Sequence, residues 1–448
     1  MRESPRLYVH CLGALSSLRA VGDAVPGFDL YAERALVMAG SRDLVCVPGT
    51  VAGDYLTFLN ELGVGPAPRH VLALGEEERG DAPARSLATR LLDDPLLPGW
   101  VGRRVPPGAT LELHPYAATR ETFALAAILE AEGTRVRVLG GDPAINARAD
   151  QKHVMREKAI QLGVPVAPGE TVELSFPGGR RRRDLEPVRA AIQRQLRWTG
   201  QVIVRGSSGA SGQSTFIVGR GGDDTEGVVR RLGGRADNRV YLVEAMVDVT
   251  VSPNLQLRIE PDGAITSLGV TDQRWGRRLV HAGNVYPSTA RLADVMDGWA
   301  HTLAGSLRDD GYAGDVGFDF VEHLDPDTGR PRAFLAEVNP RVNGASYPLA
   351  LLKRLNAVRA LSGESPIEAF ASGMLATRAR EFSSLRDTLG DHLFTHPTGA
   401  GLVPYATGCL AYGKVAAVAF APTRPEALRR LADAQTALET TWVVPSCA

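Results

Sequence analysis

The residues best able to do chemistry lie in GDVGFDFVEHLDPDTGRPRAFLAEVNPRVNG, residues 314–344. Two alternating apolar runs flank a turn-rich DPDTGRP, the pattern of a β-hairpin. With the turn centred on Thr328, Asp319 faces Glu337, and Asn339, two residues further along, shares their face. Two facing carboxylates repel at a cost of roughly 0.2–1 kcal/mol unless something neutralises them. An oxygen-only set of two acids and one amide suits Mg²⁺ held jointly with phosphate oxygens and water. Arg341 continues the same strand toward whatever anion that cation meets. The competing reading is a surface hairpin with incidental acids, against which the Glu-Val-Asn-Pro-Arg run argues.

A second segment, QVIVRGSSGASGQSTFIVG at 201–219, places Gly206, Gly209 and Gly212 among Ser207, Ser208 and Ser211. Such a loop leaves backbone N–H groups uncovered, as wrapping phosphate oxygens requires. It is not a Walker A loop, because Gln213 follows Gly212 and the downstream TFIVG favours a strand over a helix. A Rossmann loop fails for the same reasons. The segment therefore reads as strand, glycine loop, strand, with a plain surface hairpin as its other reading. Lysine is informative in this chain, which has only Lys152, Lys158, Lys353 and Lys414 against 46 arginines. Lys152 opens an amphipathic helical pattern, DQKHVMREKAIQLG, closed by Gly163 and Pro165.

Taken together, Lys152, the Gly/Ser hairpin, the acidic hinge VYLVEAMV and the set Asp319, Glu337, Asn339 and Arg341 resemble the ATP-grasp ligases over about 145–350. The resemblance implies ATP and Mg²⁺ as cofactors, with Asp319, Glu337 and Asn339 as metal ligands. It puts Lys152 and Arg205 on the nucleotide phosphates, Arg205 standing where the family has lysine, under a lid of Ser207, Ser208, Gly209, Ser211 and Gly212. Glu244, Ala245, Met246 and Val247 would meet adenine, Asp248 the ribose, and Arg341 with Arg205 would be catalytic. Arg274, His281 and Asn284, in TDQRWGRRLVHAGNVYPS at 271–288, are the substrate candidates. Within the family, RGSSGASGQST and EVNPRVNGASYP are most similar to peptide ligases of peptide-antibiotic biosynthesis. That implies amide formation between a nonproteinogenic, guanidino-bearing acid and the amine of a peptide, through an acyl phosphate, with ADP and phosphate released. A small amino-acid or dipeptide ligase on the same fold is the alternative, followed by a kinase or an ATP-binding module.

These residues must be positioned by an α/β scaffold. Short apolar runs at RALVMAG (34–40), DLVCVPG (43–49) and HVLALG (70–75), then a helical ETFALAAILEAEG and TRVRVLGG, predict a parallel α/β domain over 1–145. In the resemblance this is the pre-ATP-grasp domain. A two-lobed ATP-grasp domain would follow over 146–350, with lobes of about 146–240 and 241–350, and then a small C-terminal α+β subdomain over 351–448, which includes KVAAVAFAP. The turn after LVCV, at Pro48 to Thr50, is a candidate ligand edge or simply a turn. The arginine run 180–183 reads as a solvated loop. Over 448 residues, 50 basic against 51 acidic side chains leave no positive field for nucleic acid. No stretch approaches the ~20 apolar residues of a membrane helix. Cys11, Cys46, Cys409 and Cys447 suit neither a zinc site nor a disulfide frame, and in the opening MRESPRLYVHCLGALSSLRA the apolar stretch is interrupted by His10 and by Ser16 and Ser17, with Arg19 following and no convincing cleavage site for a signal peptide. A cytoplasmic enzyme is expected, and a homodimer is compatible with it.

Overall fold

The computed structural model describes residues 4–15, 25–75, 85–174, 184–209, 215–233, 238–276 and 280–440. Ser211, Gly212 and the arginine run 180–183 lie outside the described residues.

The N-terminal sheet holds β1 (Arg6–Val9), β2 (Leu44–Val47), β3 (Val71–Ala73), β4 (Thr110–Pro115) and β5 (Arg135–Val138). They run parallel in the order β3-β2-β1-β4-β5. β2 is buried at all four positions, as its unbroken apolar LVCV demands of a strand covered on both faces. The chain winds outward from β1 to β3 and then returns to β1's other side as β4, so the crevice for a ligand opens beyond the ends of β1 and β4. The strand expected at 34–40 is instead a 3-10 helix, Phe28–Arg34, running into an α-helical turn, Ala35–Met38. Ala35, Leu36, Val37 and Met38 are all buried, and a short run buried on every side has no periodicity to separate helix from strand.

The second sheet is antiparallel: β6 (Gly169–Glu173), β7 (Gln201–Gly206), β8 (Thr215–Gly219) and β9 (Val240–Ala245), in the order β6-β9-β7-β8. Helices Glu186–Thr199 and Thr225–Gly233 bury Val188, Ile192, Val228 and Leu232 with Val202, Val204 and Val243 of the sheet. β9 therefore belongs to this first lobe through Ala245, slightly past the expected 240.

The third sheet has nine strands among the described residues: β10 (Val249–Val251), β11 (Pro253–Ile259), β12 (Ile265–Trp275), β13 (His281–Tyr286), β14 (Gly314–Leu324), β15 (Pro331–Asn339), β16 (Ala369–Ala376), β17 (Gly401–Tyr405) and β18 (Lys414–Ala421). Helix Ala293–Asp309 lays Met296, Ala300, Leu303 and Leu307, a stripe at helical spacing, against Leu255, Leu257, Phe318 and Phe320. The expected boundary at 350 does not interrupt the sheet: β13 pairs with β16 at Val285 and Ala371, and β16 with β18 along eight residues. Phe382 and Phe420 of the C-terminal region share one core with Leu36, Tyr55 and Phe58 of the first domain. Residues 351–440 extend the large lobe and dock it on the N-terminal domain.

Candidate active site

The hairpin brings the acids together as its alternation demands. β14 and β15 pair Asp319 with Glu337 and Gly317 with Asn339. Nearer the turn the register changes, Phe320 pairing with Leu335 and Leu324 with Pro331, so Ala336 is an extra residue in β15. This bulge offsets a turn centred half a residue before Thr328, and it aims the Ala336 carbonyl at Arg205 Nη1, 3.0 Å away. Asp319 Oδ1 accepts hydrogen bonds from Asn254 Nδ2 of β11 and, at 2.6 Å, from Gln273 Nε2 of β12. Asn339 Nδ2 donates to Oδ2 at 2.9 Å. Burial and then the Glu337 charge push the Asp319 carboxyl up to about 6, more than these donors offset. Burial also acts upward on Glu337, but the Lys152 ammonium 3.0 Å away, with Arg205 and Arg341 beyond, holds it below the usual range.

This arrangement fits a divalent cation. Asp319 carries a repulsion that only added positive charge relieves, and Asn339, its amide nitrogen committed to Asp319, has Oδ1 left to offer. Among the described residues no three His, Cys, Asp or Glu side chains gather into a group that could hold a metal, so a cation here would rest on two carboxylates and one amide. Such a set leaves positions for water and phosphate oxygens, as Mg²⁺ prefers.

On one side of the acids is a cavity of about 410 Å³ between the two lobes. Its walls include the hinge Glu244, Ala245, Met246, Val247 and Asp248, the hairpin residues Gly206 and Gly209, Ile203 and Phe334, and Lys152, Arg205, Asp319 and Glu337. Lys152 Nζ bridges it, donating to the Gly209 carbonyl at 2.8 Å while pairing with Glu337. Arg205 is engaged by the protein itself. Its Nε donates to Glu244 Oε2 at 3.0 Å and its Nη1 to the Ala336 carbonyl, so its fork ties the first lobe to the bulge of the second. Arg156, one helical turn beyond Lys152, takes the other Glu244 oxygen at 2.9 Å. Glu244 is thus a buried carboxylate shared by two guanidiniums, a role that sequence reasoning missed for Arg156, although its spacing from Lys152 was visible. Neither Ser207 nor Ser208 lines the cavity: Ser207 Oγ bonds His153 Nδ1 at 2.6 Å, and the Ser208 backbone amide donates to Asn238 Oδ1 at 2.7 Å.

On the other side, sharing Gln273, Trp275, Asp319 and Glu337 as a common wall, is a second cavity of about 380 Å³. Arg341, His281 and Asn284 line it; Arg274 does not, its Nη1 donating instead to the Ser372 carbonyl at 3.3 Å. Arg341 is buried, its Nη1 3.3 Å from the Tyr116 hydroxyl and its Nε 3.6 Å from Asp150 Oδ1. Burial, helped by the charges of Arg34 and Arg274, holds the His281 imidazole below its ordinary value, so it stays neutral. Tyr116, just beyond β4, and Tyr31 and Arg34, on the 3-10 helix after β1, were missing from the sequence-derived set. They stand where the strand order reverses, which no single sequence signal reveals.

No protein-family model and no curated protein matches the sequence. Solved structures do match over nearly the whole chain. N5-carboxyaminoimidazole synthetase from Staphylococcus aureus, complexed with ADP, shares 10% identity at TM-score 0.52, covering 97% of this chain and 98% of that one. Biotin carboxylase from Campylobacter jejuni, in a beta-gamma-ATP complex, shares 13% at TM-score 0.55, covering 96% and 91%. The chain has the ATP-grasp fold. A third ATP-grasp neighbour, the biotin carboxylase domain of 2-oxoglutarate carboxylase from Hydrogenobacter thermophilus, was solved with MgADP and bicarbonate and shares 15% at TM-score 0.55, covering 98% and 90%. In this fold the cleft between the lobes is the 410 Å³ cavity.

Proposed function

We propose that the protein is an ATP-dependent carboxylate–amine ligase that joins an acid to the amine of a peptide and releases ADP and phosphate. One observation carries this reading: the Asp319–Glu337 pair is the common wall of two cavities, one bounded by the hinge and one by Arg341 and neutral His281. A phosphoryl group passed between the cavities must cross that wall. Lys152 and Arg205 offset phosphate charge from the hinge side, and Arg341 does so from the other. Mg²⁺ on Asp319, Glu337 and Asn339 would neutralise the phosphate oxygens and the paired acids together. The acid's carboxylate attacks the γ-phosphorus, ADP departs, and the amine displaces phosphate from the acyl phosphate with Arg341 beside the oxyanion. His281, neutral and on the second cavity, is placed to take the proton that the amine sheds. The lobes exclude water that would hydrolyse the acyl phosphate. The resemblance of RGSSGASGQST and EVNPRVNGASYP to the peptide ligase of pheganomycin biosynthesis supports a guanidino-bearing acid as donor and a cytoplasmic, antibiotic-building role.

The test is product analysis with ATP, Mg²⁺ and a panel of acids, with hydroxylamine replacing the amine. ADP, phosphate and the acid's hydroxamate are expected; AMP formed in proportion to product would replace this chemistry with adenylation.

A further inference from the structure

Arg34 is the one cavity-lining arginine whose charge the protein leaves unanswered among the described residues. Arg205 has Glu244 and Arg341 has Asp150, but among the described residues no carboxylate forms an ion pair with Arg34, whose largest electrostatic neighbours are the phenols Tyr405, Tyr347 and Tyr31 and the thiol Cys409. Its Nε is buried and has no hydrogen-bond partner among the described residues. Its guanidinium lies 4.0 Å from the Tyr31 ring centroid and 5.7 Å from that of Tyr347. The adjacent acid, Glu33, is buried and occupied elsewhere, accepting from the Gly408 amide at 2.6 Å. The side chain as a whole is half-buried, and cation–π contact, about 0.5–2 kcal/mol, is the compensation that the described residues give the buried part of its fork. A site that keeps such a charge beside a cavity is built for an anion that arrives from outside.

We propose that Arg34 binds a substrate carboxylate other than the reacting one, so that the second cavity selects substrates with a free carboxylate remote from the bond being made. This rests on the ligase reading and names its substrate class. Arg341, beside the Asp319–Glu337 wall, serves the reacting carboxylate, whereas Arg34 enters from the N-terminal domain with a planar fork suited to bidentate recognition. The remote carboxylate belongs either to the C-terminus of the amine acceptor or to a second acid group of the donor. A guanidino-bearing donor end would be repelled by Arg34, which for that donor assigns the carboxylate to the acceptor.

Calorimetric titration of the whole protein, without turnover, separates the cases. The probes are L-alanyl-L-alanine against its C-terminal amide, and glutarate against its monomethyl ester, with ADP titrated in parallel. In wild type one acid probe is expected to bind at least tenfold more tightly than its neutral partner, about 1.4 kcal/mol. Arg34→Gln should erase that preference and Arg34→Lys should keep part of it, while both bind ADP as wild type does and so report intact folding. Preference within the dipeptide pair identifies the acceptor as source, and within the glutarate pair the donor. Absence of both preferences in wild type, or a preference that survives Arg34→Gln, overturns the proposal. Failure of wild type to bind ADP would overturn the ligase reading instead.

Discussion

Removing one charge from each of the two facing acids should have opposite effects on stability, although both changes should stop turnover. Asp319 is the strained member. With an ordinary value of 3.8 in the unfolded chain and about 6 in the folded one, linkage makes its burial beside Glu337 cost about 1–2 kcal/mol at pH 5 and about 3 kcal/mol at pH 7.5. The sign follows from the raised folded value: stability is fully present below 3.8 and is lost as pH rises through about 6. Asp319→Asn removes that cost, but its amide must turn an NH₂ toward one of the donors Asn254, Gln273 or Asn339, forfeiting about 1–2 kcal/mol at either pH. The variant should match wild type near pH 5 and exceed it by about 1–2 kcal/mol at pH 7.5. Glu337→Gln instead strips Lys152 of its counter-charge. A fully buried pair costs about 3–5 kcal/mol to break, and since the Glu337 side chain is 23% exposed we expect a loss of about 1–3 kcal/mol. Hydrogen exchange of the β14 and β15 amides in metal-free buffer at both pH values reads local opening without assuming two-state unfolding of the whole chain. Equal shifts for the two variants, or an Asp319→Asn effect independent of pH, would refute the assignment of strain to Asp319.

Arg205→Lys should lower stability by about 1–2 kcal/mol and weaken ADP binding, because one ammonium cannot span Glu244 and the Ala336 carbonyl as the fork does; calorimetry indistinguishable from wild type would return Arg205 to a simple point-charge role. His10 and His114 are buried and held below the ordinary imidazole value chiefly by desolvation, so stability should fall as pH drops below about 6.5, by up to about 1.4 kcal/mol per pH unit for each group. Urea titrations from pH 7.5 to 5 in the Asp319→Asn background, which lacks the opposing Asp319 contribution, should show that slope and show it reduced when His114→Asn is added. Gly283→Ala should cost several kcal/mol and give little soluble protein, because Gly283 sits at φ +134° and an added Cβ would run into the Ser372 carbonyl across the β13–β16 seam. Normal yield and melting would mean that the seam can open to admit a methyl group.

The facing of Asp319 and Glu337 was legible because strand alternation is a two-residue rule, and one assumed turn centre carries it along the hairpin. The Ala336 bulge was not legible, since it compensates an error in the turn centre and leaves the acid pair where a regular hairpin would put it. The hinge and Lys152 were found through their order along the chain, and they do line one cavity. Arg34 was hidden by its setting: it begins a run of four buried apolar residues that reads equally as strand or helix, in a chain where 46 arginines make any single one uninformative. The partners of Arg205 lie 39 and 131 residues away, and no local pattern announces contacts at that range. The C-terminal strands looked like a separate unit because their pairing with β13 is likewise invisible until the sheet is assembled.

The continuity of that sheet has a consequence for the order in which a ribosome delivers the site. The inter-lobe cavity draws its wall from Lys152 to Glu337, so a nascent chain holds all of it once Arg341 has emerged. The second cavity also needs Ser372, Gly373 and Met374 of β16, then Tyr405, and finally Ala416 of β18. During synthesis at about 5–20 residues per second there is an interval of several seconds in which the residues for nucleotide are present and those for the second substrate are not. On the ligase proposal, an acyl phosphate could therefore not be directed to an amine before the last strands dock, and premature termination within them would leave a chain that has the residues of the inter-lobe cavity but lacks part of the second cavity's wall.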